Sequence, residues 1–72
     1  MERADFKLGE ITSRIGPASY IEVFRSTNKA IEKLYLGQRA KITDHLPYYE
    51  ELDVKFIESI KEPRLGTRIW VF

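Results

Sequence analysis

His45 is the only histidine in the chain, so a Ser-His-Asp relay would depend on it entirely. Asp44 is its neighbour, and Ser13, Ser19, Ser26 and Ser59 are the serines. None of them sits in a nucleophile-elbow context, and a turn histidine beside Leu46-Pro47 reads as structural. A metal site would need His45 with carboxylates such as Asp44, Glu50 and Glu51, a set without recognisable ligand spacing. Glu50 and Glu51 are adjacent, and adjacent side chains point in different directions on a strand or a helix. They read as a solvated face rather than an acid-base pair. The sequence therefore predicts no catalytic residue, no metal ligand and no cofactor, and a protein that is not an enzyme.

Basic residues are the better candidates for a site. Arg14 and Arg25 flank the first expected hairpin, Arg39 and Lys41 share one side of the third expected strand, and Arg64 and Arg68 bracket the last turn. On a barrel they could converge into a groove for a phosphate backbone, with Tyr20, Tyr48, Tyr49 or Trp70 as stacking faces. The competing reading is a mixed-charge surface, because Glu10, Glu22, Glu58 and Glu62 interleave with them.

The elements that must position these groups come from a short chain. Seventy-two residues make one small domain, 1–72, that buries only about 60% of the surface its unfolded form exposes. Hydrophobic residues make up 43% of the chain, which argues against disorder. The formal charge of +1 supplies no electrostatic case for nucleic acid by itself. There is no cysteine, so disulfides and thiolate metal sites are excluded. No stretch approaches the roughly 20 apolar residues that span a bilayer, and Met1–Asp5 carries acids without a following apolar core. A cytoplasmic protein is expected.

Gly16-Pro17, Thr27-Asn28, Gly37, Pro47 and Pro63–Gly66 punctuate the chain. Between them, Tyr20–Phe24 suits a strand buried on both sides. Leu52, Val54 and Phe56 alternate with polar residues, and the alternation slips past Phe56, as at a bulge. Asp53–Lys61 and Thr67–Phe72 are expected to form a hairpin. A helical reading competes at three places. Ala4, Leu8, Ile11 and Ile15 fall at helical spacing, as do Ala30, Ile31, Leu34 and Tyr35 after the cap residues Ser26-Thr27-Asn28, and Tyr49, Leu52, Phe56 and Ile60. Residues 4–15 and 47–61 thus stay open between helix and strand. The fold class expected is mostly β, a small five- or six-stranded barrel with a short helical turn around 44–51.

The order of these pieces resembles the HAS-barrel, the small barrel at the N-terminus of HerA-type DNA translocases and rotary ATP synthase subunits. The matching segments are Leu8-Gly9-Glu10-Ile11, Tyr20–Phe24, Leu36–Ile42 and Val54–Glu62. Nothing resembles the Gly-x-x-x-x-Gly-Lys-[Ser/Thr] phosphate loop, so the resemblance implies the barrel without the motor, an adaptor or assembly module.

Phe6, Phe24, Phe56, Trp70 and Phe72 are expected in the core, because a thin core leans on large side chains. The chain ends on Trp70-Val71-Phe72, and a strand this apolar must be centrally paired or covered by a partner. The expected function is a protein–protein adaptor, assembly or inhibitor module acting through Trp70, Val71 and Phe72, either as a homo-oligomer or on a larger partner. The alternative is a nucleic-acid-binding barrel using the six basic residues named above.

Overall fold

The computed structural model describes residues 6–72. Four strands form one mixed sheet: β1 (Tyr20–Ser26), β2 (Ile31–Gln38), β3 (Val54–Ile60) and β4 (Gly66–Val71), in spatial order β2-β1-β4-β3. β1 runs antiparallel to β2 and parallel to β4, and β3 runs antiparallel to β4. Helix α1 (Leu8–Thr12), helix α2 (Ile42–His45) and two 3-10 turns, Arg39–Lys41 and Tyr49–Glu51, complete the described chain.

The mostly-β expectation holds, but the five- or six-stranded barrel does not form. The sheet is open, with β2 and β3 at its edges. Two stretches are helical. The first is α1, which resolves part of the stretch left open between helix and strand. Lys7 N–H donates to Glu10 Oε1 at 3.0 Å, a side chain reaching back to cap the first turn. Gly9, unfavourable inside a helix, is explained by contact: a Cβ there would lie 3.0 Å from the Glu50 Cβ of the second 3-10 turn. Ala4 of the helical pattern lies outside the described residues.

The second is 39–45, in place of the expected third strand. After Gly37, which holds a positive φ of 154°, the chain turns into 3-10 helix and then α2. Arg39 N–H donates to Ser19 O at 2.8 Å and Ala40 N–H to Pro17 O at 3.0 Å, so this segment is tied to the turn before β1. Arg39 and Lys41 therefore do not share one side of a third strand. The helical turn expected around 44–51 is represented by α2 and the Tyr49–Glu51 turn.

The β3–β4 hairpin forms as expected, joined through a cis Glu62–Pro63 bond. Its bulge lies earlier than the sequence pattern suggested, between Val54 and Phe56. Lys55 is the inserted residue, so Val54 faces one side of the sheet and Phe56 the other. The lost alternation is the mark of that bulge.

Among the described residues, only one side of the sheet is covered. Ile21, Val23, Ile69 and Val71 point to it, and α1 and α2 press Leu8 and Ile42 against them. Leu8 and Ile42 are almost wholly buried, each contributing about 2–3 kcal/mol relative to exposure. The core is aliphatic apart from Tyr35. That corrects the expectation of an aromatic core: Phe6 is 52%, Phe56 48% and Phe72 51% exposed. No helix among the described residues is long and apolar enough to cross a membrane.

Candidate functional site

Successive strand residues point to opposite faces, so the side chains between the core positions must project to the uncovered side. On β1 these are Tyr20, Glu22 and Phe24, and the register aligns them with Gln38, Leu36 and Lys33 of β2. Across β4 the matching positions are Arg68 beside Glu22 and Trp70 beside Phe24. On β3 they are Glu58 beside Arg68 and Phe56 beside Trp70. Two rows thus cross the sheet. One reads Leu36, Glu22, Arg68, Glu58; the next reads Lys33, Phe24, Trp70, Phe56.

The first row is a buried-to-exposed ion network. Arg68 Nε donates to Glu22 Oε1 at 2.8 Å, and its Nη1 lies 3.6 Å from Glu58 Oε2. Tyr20 O–H donates to Glu22 Oε2 at 2.6 Å. Glu22 is only 3% exposed. Burial pushes its carboxyl upward, but the hydrogen bonds from Tyr20 and Arg68, with the charges of Arg68 and Lys33, hold it below its ordinary value. The same contact, added to burial, raises the Tyr20 phenol. Its hydrogen bond to Glu22 raises the Arg68 guanidinium.

The second row is aromatic. Phe24 meets Trp70 edge-on with centroids 5.2 Å apart, and Phe56 stacks on Trp70 at 5.6 Å. Arg68 lies over the Phe24 ring at 5.1 Å and Arg64 over the Tyr20 ring at 5.3 Å. Gly66 makes room for Tyr20: a Cβ on Gly66 would lie 2.4 Å from Tyr20 O.

No family model, curated protein or solved structure matches this chain.

The six basic residues do not converge. Arg64 and Arg68 belong to the uncovered face. Arg39 Nε is held by Ile15 O at 3.1 Å, near the turn before β1, with Lys41 exposed two residues on. Arg14 is exposed just beyond α1. Arg25, toward the other end of β1, donates to Phe72 O at 2.9 Å. Arg25, Arg39 and Arg68 are each engaged by an acceptor of the chain itself.

The three C-terminal residues also part company. Trp70 lies on the uncovered face, Val71 is 1% exposed in the core, and Phe72 lies exposed beyond β4 with Lys55 Nζ 5.9 Å from its ring centroid. Val71 is buried because it points to the covered side of β4, against the core cluster. His45 and Asp44 are exposed on α2. No group of three His, Asp or Glu side chains among the described residues could hold a metal ion. Sequence reasoning missed Phe24, Phe56 and Glu22 as face residues. The alternations Tyr20-x-Glu22-x-Phe24 and Arg68-x-Trp70 carried that signal.

Proposed function

We propose that the protein is a non-enzymatic assembly module that pairs with a second copy of itself through the uncovered sheet face. The row Phe24–Trp70–Phe56 is the observation that carries this reading. Four strands spaced about 4.8 Å apart and about six residues long make a platform roughly 19 Å by 20 Å. It is a flat platform rather than an enclosed small-molecule pocket. Sheets stack face to face about 10 Å apart in sandwiches, with their side chains interdigitating.

The pattern of the face favours a second copy. A two-fold axis parallel to the strands lays β1 of one copy over β4 of the other, and β2 over β3. Phe24 then meets Trp70 twice. Lys33 makes no ion pair within the described residues and comes within one row of the half-exposed Glu58 of the second copy. Nucleic acid fits less well, since Arg68 at the centre of the face is already engaged by Glu22 and Glu58.

Sedimentation equilibrium tests this at low salt and at about 1 M salt, where the Debye length is about 3 Å. A dimer that persists at high salt, and becomes a monomer on Phe56→Glu with an unchanged circular-dichroism spectrum, is the expected result. A monomer at every concentration overturns the reading. So does a single-stranded oligonucleotide complex that dissolves in salt, which would identify the face as a stacking platform.

A further inference from the structure

Three connections meet at one end of the sheet. β1 and β4 start there, at Tyr20 and Gly66, and β2 and β3 end there, at Gln38 and Ile60. The turn before β1, residues 13–19, brings Arg14. The 3-10 turn after β2 brings Arg39 and Lys41, and the β3–β4 turn, residues 61–65, brings Lys61 and Arg64. Arg39 N–H, Ala40 N–H and Arg39 Nε–H donate to Ser19 O, Pro17 O and Ile15 O, which ties the first two connections together. The third lies beside them, because Arg64 stands over the Tyr20 ring at 5.3 Å.

These connections hold five cations and one carboxylate, Glu62, a net +4 in a chain whose formal charge is +1. The rest of the chain therefore carries a net −3, and the positive charge is concentrated at this end. None of the five cations forms an ion pair within the described residues. Glu10 and Glu22 are engaged elsewhere, the first by Lys7 N–H and the second by Tyr20 and Arg68. Asp44, one turn beyond Lys41, subtracts a single charge and leaves +3. The cations ring the end of the sheet rather than line a groove across its face. Among them stands an apolar side chain, Leu65, which is 77% exposed.

We propose that this end is a second binding site, which docks the protein on an anionic phospholipid surface. The cations lie over the headgroups and Leu65 enters the interface. Lysines and arginines close to a negative leaflet supply the attraction, and the buried leucine adds to it. The apolar tip favours lipid over a nucleic-acid strand. So does Tyr20, whose ring carries Arg64 and whose hydroxyl is bound to Glu22, so that the aromatic at this end is already occupied. All six residues belong to one copy, and the site does not rest on self-pairing through the aromatic face. A two-fold axis parallel to the strands turns both basic ends toward the same plane.

The test is flotation with phosphatidylcholine vesicles at low salt, with and without about 30% phosphatidylserine. Binding to the serine-containing vesicles alone is expected, with release at about 1 M salt, where the Debye length is about 3 Å. Lys41→Ala and Lys61→Ala should each weaken binding about fivefold, the usual worth of one cation near such a surface. Leu65→Ser should weaken it several-fold while the thermal melt stays unchanged. Lys29→Ala and Lys55→Ala, at the opposite end of the sheet, should leave it as it is. Four outcomes overturn the proposal: no binding to the serine-containing vesicles, equal binding to both kinds, an equal loss from Lys29→Ala, or displacement of the vesicles by a single-stranded oligonucleotide whose own binding ignores Leu65→Ser.

Discussion

The indole N–H of Trp70 donates to Glu58 Oε2 at 2.7 Å, tying the aromatic row to the ion network beside it. The same carboxylate lies 3.6 Å from Arg68 Nη1. One side chain of β3 thus fixes the orientation of the largest ring on the uncovered face. Trp70→Phe keeps most of the ring and loses the hydrogen bond. A loss of about 1 kcal/mol in urea-unfolding free energy is expected, the usual net worth of such a bond. An unchanged midpoint would show that the hydrogen bond contributes nothing.

Glu22 couples stability to pH. Its folded value lies below the ordinary 4.5, since the Tyr20 and Arg68 hydrogen bonds overcome the opposing effect of burial. The stabilisation is therefore complete above pH 4.5 and is lost as pH falls through the lower folded value. Glu22→Gln should be less stable than wild type at neutral pH, and its thermal midpoint should fall less steeply below that pH. Parallel acid limbs for the two proteins would refute the coupling.

Tyr20 acts at the other end of the scale. Burial and the Glu22 contact raise its phenol above 10.0, so the neutral form is favoured in the folded state. That contribution is present below pH 10.0 and is lost as pH rises through the raised value. Tyr20→Phe should flatten the alkaline limb of the stability profile. Ultraviolet titration of the phenolates gives an independent reading, with two groups, Tyr20 and Tyr35, expected to ionise late until the fold opens.

Gly66 and Gly16 should respond unequally to the same change. At Gly66 an added methyl would lie 2.4 Å from Tyr20 O, whereas at Gly16 its nearest neighbour is Ser19 Oγ at 3.4 Å. Gly66→Ala should cost about 2 kcal/mol or more, lowering the melting temperature by roughly 10 °C in a chain of this size. Gly16→Ala should stay within about 0.5 kcal/mol. Equal melting curves for the two variants would contradict the packing of Tyr20 across Gly66.

Core and face positions separate stability from association. Ile69→Ala, in a site of 0% exposure, should destabilise the fold by about 3 kcal/mol. Phe56→Ala, at 48% exposure, should cost under about 1.5 kcal/mol and act mainly on the association measured by sedimentation. If Phe56→Ala destabilises as much as Ile69→Ala, the aromatic row serves the fold rather than a partner.

The sequence by itself determined the strands at Tyr20–Phe24 and at the C-terminus, because β-branched and aromatic runs between turn residues have few other uses. It also pointed to the β3–β4 hairpin and the helical turns near 44–51, with residues 47–61 still open to a helix. Residues 4–15 stayed ambiguous, since Gly9 and Thr12 oppose a helix that only the contact with Glu50 and the burial of Leu8 make favourable. Gly37 was legible as a corner, but the hydrogen bonds that turn 39–41 away from the sheet come from Pro17 and Ser19, some twenty residues earlier. Tertiary structure alone decided that β4 lies between β1 and β3 and that only one face is covered. Those two facts send Val71 into the core and leave Trp70 outside. A two-residue alternation says that neighbours part, but only the packing of α1 and α2 says which side becomes the core.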